Sequence, residues 1–79
     1  MLNIQKETKK DCELVIKFAN QFFFINGFQI KNTNDQCCSE FSSGTGYLYL
    51  DCFQEGKKNS VNIKTDQWDY FAEEFLKHL

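Results

Sequence analysis

The spacing of apolar positions along this chain changes twice, from helical to alternating and back to helical. In the first stretch Cys12, Val15, Ile16, Ala19, Phe22 and Phe23 fall on one face at helical spacing. Leu14, Phe18 and Ile25 widen that face to more than half the circumference, and Glu13, Lys17 and Asn20 take the opposite side. The pattern predicts a helix over residues 9–26. Thr8 followed by Asp11 reads as a capping box at its start. Gly27 is a natural residue just past its end, with Phe28 beyond it for the closing hydrophobic contact. Phe24 points away from the main stripe, and it either covers a sheet edge or is exposed for a partner.

Alternation follows. Residues 28–31 read as a short strand, Asn32 to Asp35 as a turn, and residues 36–42 as a second strand. The run SSGTG is the next turn. Residues 47–53 form the third and strongest strand, and a connection around Gly56 closes a hairpin to residues 60–64, where Val61 and Ile63 alternate with Asn62 and Lys64. The last two strands are expected to pair antiparallel. Ahead of the first helix, Leu2 and Ile4 alternate, and residues 1–7 fit a short edge strand and a frayed lead-in equally well. Helical spacing returns after Thr65, which reads as the cap of a second helix with Asp66 in its first turn. Trp68, Phe71, Ala72, Phe75 and Leu79 line its apolar face with Leu76 at the margin, and Asp69, Tyr70, Glu73, Glu74 and Lys77 face water.

These elements sum to one α+β domain over residues 1–79, in the order α-β-β-β-β-α. Its expected architecture is two layers: an antiparallel sheet of three or four strands with two helices on one face. Two such helices cover one side of the sheet, and the chain holds nothing to cover the other. The third strand then acquires its meaning. Leu48, Leu50 and Cys52 point toward the helices, while Tyr47, Tyr49, Asp51 and Phe53 point away from them. An uncovered aromatic and acidic sheet face is a binding surface.

Composition narrows what binds there. With 42% hydrophobic and 25% charged residues the chain is a globular protein rather than a disordered one. The longest apolar runs are too short for a membrane span, and the N-terminus lacks the pattern of a secretory signal, so the cytoplasm is the expected location. In that compartment the four cysteines, Cys12, Cys37, Cys38 and Cys52, are expected as reduced, buried thiols. No pair of them has metal-site spacing, so no metal and no cofactor is expected. The single histidine, His78, reads as a solvated cation at a helix end rather than a general base. Glu73 and Glu74 diverge on neighbouring helical positions, and the GTG within SSGTG lacks the lysine and strand-to-helix context of a phosphate loop. The chain is expected not to be an enzyme.

Two kinds of binding remain. Tyr47, Tyr49 and Phe53 are suited to stack bases, with Lys57, Lys58 and Lys64 flanking them. The last strand running through Gln67 and Trp68 into a helix resembles the tail of PC4-type single-stranded-DNA-binding coactivators, which implies a nucleic-acid-binding module. Against that, the chain has no Arg, carries a net charge of −2, and places Asp51 within the aromatic face. Acids beside aromatics suit a basic protein partner better. In size, charge and architecture the chain resembles the small phage-encoded inhibitors of bacterial defence, the anti-CRISPR proteins among them. That resemblance implies an inhibitor occluding a basic nucleic-acid-handling target in the host cytoplasm. The expected contact residues are Tyr47, Tyr49, Asp51, Phe53 and Glu40 on the sheet, with Asp69, Tyr70 and Glu73 on the last helix. A small homodimeric accessory subunit is the remaining alternative.

Overall fold

The computed structural model describes residues 2–79. Its elements are β1 (Leu2–Thr8), α1 (Cys12–Ile25), β2 (Gln29–Asn34), β3 (Cys38–Ser43), β4 (Gly46–Glu55), β5 (Lys58–Asp66) and α2 (Asp69–Lys77). The five strands form one antiparallel sheet in the order β1-β5-β4-β3-β2. The α+β architecture is as expected, with one strand more than the three or four anticipated. The additional strand is β1, which pairs along β5 from Leu2 opposite Thr65 to Thr8 opposite Asn59. It extends the sheet sideways and does not fold across it.

Both helices pack on the face that carries Phe41, Leu48, Leu50, Cys52, Val61 and Ile63. From α1, Val15, Ile16, Ala19 and Phe23 are fully buried against them, and from α2 Ala72 and Phe75 are also fully buried. Phe75 joins the two helices, with ring centroids 5.3, 5.7 and 5.5 Å from those of Phe18, Phe22 and Phe23. Burying this many large rings supplies most of what a 79-residue chain has available for stability.

The C-terminal end of α1 follows the sequence reading closely. Gly27 adopts φ +92°, its N–H donates to Phe24 O, and the Phe28 N–H donates to Phe23 O at 2.9 Å. That pair of bonds is the Schellman arrangement, and the Phe23 and Phe28 rings close it edge to face at 5.2 Å. The N-terminal end differs. The helix starts at Cys12 behind Asp11, with no side-chain capping bond, because Thr8 is held as the last residue of β1. The Thr8 hydroxyl instead accepts from Lys10 N–H, and Asn59 Nδ2 donates to Lys10 O at 2.6 Å to fix the approach to the helix.

Four further expectations are corrected. Asn32 to Asn34 are strand rather than turn, since β2 is an edge strand exposed along its whole length and tolerates a turn-like composition. Asn20, expected to face water, ties that edge down: it accepts from the Ser39 hydroxyl at 2.6 Å and donates to Thr33 Oγ1 at 3.0 Å. Thr65 is not a helix cap. It is fully buried in β5, paired with Leu2 on one side and Leu48 on the other, and its hydroxyl donates to Tyr47 O at 2.8 Å. Finally, Cys12 and Cys52 are joined as a disulfide across 40 residues, pinning the first residue of α1 to β4, while Cys37 and Cys38 are free thiols. The expectation of four reduced cysteines fails because the register of β4 brings Cys52 under the start of α1, a proximity that linear spacing does not reveal.

Candidate functional site: the open face of the sheet

The outer face follows from the register. Across the three central strands it forms rows: Ser42, Tyr47 and Asp66; Glu40, Tyr49 and Lys64; Cys38, Asp51 and Asn62. A fourth row pairs Phe53 with Ser60, and β1 adds Asn3, Gln5 and Glu7 beside Lys64, Asn62 and Ser60. No helix packs here. Phe53 is 47% exposed, Glu40 and Lys64 are exposed, and Tyr47, Tyr49 and Asp51 are half-buried by their neighbours alone.

The face is ordered by its own polar contacts. Asn62 Nδ2 donates to Asp51 Oδ1 at 3.1 Å, and Gln5 Nε2 donates to the buried Ser60 hydroxyl at 2.6 Å. Tyr49 lies at the centre, between Glu40 and Lys64. Its phenol is pushed above the ordinary value near 10, first by a hydrogen bond with Cys38, then by burial and by the negative charge of Asp51. Tyr49 therefore stays protonated at physiological pH, as a donor with an aromatic ring. The surface thus presents ring faces and carboxylates held at fixed spacing on rigid strands, which suits recognition.

The sequence-predicted contact residues separate into two groups. Tyr47, Tyr49, Asp51, Phe53 and Glu40 share the open face. Asp69, Tyr70 and Glu73 lie on α2, in the helical layer on the other side of the sheet, and do not join them. Tyr70 is 67% exposed there and stacks edge to face on Phe71 at 5.4 Å. In their place the sheet brings Asp66 and Lys64 into the site. Asp66 was missed because the strand was expected to stop at Lys64.

Gln67 and Trp68 are occupied in the fold. Gln67 takes φ +80° to turn the chain out of β5, and its Oε1 accepts from the Thr45 hydroxyl. Trp68 Nε1 donates to Ser43 O at 3.1 Å and covers Gly46 so closely that a Cβ there would lie 2.5 Å from the indole nitrogen. The pair clasps the β3–β4 turn.

No protein-family model and no curated protein matches the chain. Among solved structures, the solution structure of the Aha1 dimer from Colwellia psychrerythraea is similar in fold, with a TM-score of 0.59 over 98% of this chain and 87% of that one, at 12% identity. No helix among the described residues is long and apolar enough to cross a membrane, and no group of three or more His, Cys, Asp or Glu side chains there is placed to hold a metal ion.

Proposed function

We propose that this protein is a non-enzymatic binding module that recognises a protein partner through the open face of its sheet. The observation that carries this reading is the uncovered row structure around Tyr49, with Tyr47, Phe53, Glu40, Asp51 and Asp66 on rigid strands and no element of the chain packed over them. Aromatic rings bring contact area at little entropic cost, and the acids favour a basic partner surface. In its specific form the reading is an inhibitor, phage- or mobile-element-encoded and acting in the host cytoplasm, that occludes the basic groove of a nucleic-acid-handling enzyme of the CRISPR type.

The test compares wild type with a Tyr49→Ala/Phe53→Ala variant. Capture from a host extract should recover a basic nucleic-acid-handling protein with wild type, and lose it with a variant that remains folded at the temperature of the assay. Retention of that protein by the variant overturns the reading. Loss caused by unfolding would place the two rings in a core. Stacking of single-stranded nucleic acid on the same rings is a competing use, and it predicts salt-sensitive binding of a labelled oligonucleotide that disappears on changing Lys57, Lys58 and Lys64 to Glu.

A second reading is self-association. The structurally similar Aha1 protein is a dimer, and both β2 and the open face of this chain are available to a second copy. A solution mass of two chains, reduced to one by Tyr49→Ala/Phe53→Ala, would assign the face to a homodimer.

A further inference from the structure

We propose that the β3–β4 end of the sheet is a thiol–disulfide exchange site, in which Cys37 attacks Cys52 and displaces Cys12. Three cysteines meet there. Cys12 and Cys52 form the disulfide, with Cα atoms 5.5 Å apart. Cys37 is a half-buried free thiol immediately before β3. The β3–β4 register ends with Cys38 opposite Asp51, and Cys37, in the turn just before β3, comes next along the line of Cys52. A backbone bond confirms that placement, with Cys52 N–H donating to Cys37 O at 2.7 Å. Directly opposed residues on neighbouring strands hold their Cβ atoms roughly 4.5–5.5 Å apart, close to the separation a disulfide spans. Cys12, Cys37 and Cys52 also line one open cleft, together with Asp11, Glu13 and Asn59. Cys52 therefore has a sulfur partner on one side and a candidate partner on the other.

The step balances without an external oxidant. The Cys37 thiol loses its proton to water, and its sulfur attacks Cys52 Sγ. The Cys37–Cys52 bond forms, the Cys12–Cys52 bond breaks, and Cys12 leaves as a thiolate that takes up a proton. One disulfide and one thiol are present before and after. Cys12 is the first residue of α1, and a helix N-terminus favours a thiolate, which makes Cys12 the better leaving group. Asp11 and Glu13 beside it, and Asp51 near Cys37, oppose thiolate formation. Hydrogen bonding with Cys38, burial and the charge of Asp51 hold the proton on Cys37, so the exchange is a slow step at neutral pH.

The consequence is structural. In one isomer the covalent tie joins α1 to β4, and in the other it joins β3 to β4. The second isomer leaves the start of α1 anchored by the Asn59 bond to Lys10 O and by packing. The exchange thus loosens one end of the helix that covers the core without opening the sheet.

The experiment uses the full chain carrying one disulfide, incubated anaerobically at mildly alkaline pH, quenched with acid, alkylated and digested. Trypsin separates residues 11–17, with Cys12, from residues 32–57, with the other three cysteines. Exchange converts the linked pair of peptides into a free, alkylated 11–17 peptide, chymotryptic cleavage at Phe41 and Tyr47 then places the new bond between Cys52 and the Cys37–Cys38 pair, and fragmentation of that linked peptide together with the two serine variants assigns it to Cys37. Cys37→Ser should keep the 11–17 peptide linked throughout, and Cys38→Ser should still release it. The proposal is overturned if Cys12 stays linked in wild type while Cys37 alkylates fully, if the new bond falls on Cys38, or if glutathione oxidation of the reduced chain never joins Cys52 to either partner.

Discussion

The two faces of β4 belong to one strand and obey different rules. On one side Leu48 and Leu50 are fully buried and Cys52 nearly so. On the other, Tyr47, Tyr49 and Asp51 are half-buried and Phe53 is 47% exposed. Both sides are rich in large side chains, so hydrophobicity alone does not tell them apart. What separates them is whether a second layer exists to receive them. Two helices cover one face of a five-stranded sheet, and the described residues form no third. On the function proposed above, stability and recognition fall to alternate residues of the same strand, and mutations on the two faces should differ in kind.

The largest effect is expected on the covered face and its helix. Phe23 is fully buried, with the rings of Phe22, Phe28, Phe41 and Phe75 at 5.1, 5.2, 4.8 and 5.5 Å. Phe23→Ala should cost about 3–5 kcal/mol. That is a large share of the whole stability of a domain this size, on the order of 4–12 kcal/mol, so urea denaturation should find the variant severely destabilised. A loss below about 1 kcal/mol would mean that the core lies elsewhere and the contrast between faces fails.

Next comes the covalent tie. Cys12–Cys52 closes a 40-residue span, and the loop-entropy relation puts its contribution at up to about 4 kcal/mol. Cys12→Ser should lower the unfolding free energy by an amount approaching this, read as a lower urea midpoint, while leaving the helical and sheet content intact, because the buried cluster is otherwise complete. An unchanged midpoint, in a wild type verified to carry the disulfide, would show that the bond adds nothing to packing. This prediction bears on location as well. Structural disulfides are uncommon in a reducing cytoplasm, so a cytoplasmic inhibitor must remain folded when Cys12 and Cys52 are free.

How much of this was legible in the sequence depends on the range of the forces concerned. The C-terminal end of α1 is written within six consecutive residues, and Phe23, Gly27 and Phe28 behave as read. The alternation of β4 needs only a period of two, and it separated Leu48 from Tyr49 correctly. Thr65 was misread because its local preference for a helix cap lost to its position in the middle of the sheet, between β1 and β4. Asp66 was lost from the site by the same error. Asn20 and the Cys12–Cys52 bond depend on register between elements far apart in sequence. The acids of α2 were grouped with the sheet face because sequence gives charge but not which layer carries it.

On the open face the expected stability effects are small. Tyr49→Ala with Phe53→Ala removes two rings from cross-strand pairs with Glu40, Lys64 and Ser60, pairs worth roughly 0.2–1 kcal/mol each. The melting temperature should fall much less than for Phe23→Ala and the variant should stay folded at ambient temperature, while partner binding is abolished. A collapse in stability would show that Tyr49 and Phe53 form a second small core, and the distinction between the faces would disappear.

The smallest effect is a titration, and it isolates Tyr49 from the rest. Its phenol holds a proton more tightly in the folded state than in the unfolded chain, through the hydrogen bond with Cys38, then burial and Asp51. A group with a raised folded value contributes stability that is fully present below its unfolded value, near 10. That contribution is lost as pH rises through the folded value. Tyr49→Phe should therefore be slightly less stable than wild type at neutral pH, where the contribution is fully present, and the difference should shrink on the alkaline limb, with wild type losing more stability than the variant as pH climbs above about 10. The phenolate absorbance of wild type minus that of Tyr49→Phe should show one tyrosine titrating late, and Cys38→Ser should move it earlier. An early titration in wild type would mean that Tyr49 is freer in solution than its place between Glu40 and Lys64 implies. Because Tyr49→Phe keeps the ring and removes only the hydroxyl, partner binding by that variant then shows whether the open face is read through its aromatic surface or through the proton that Cys38 and Asp51 hold in place.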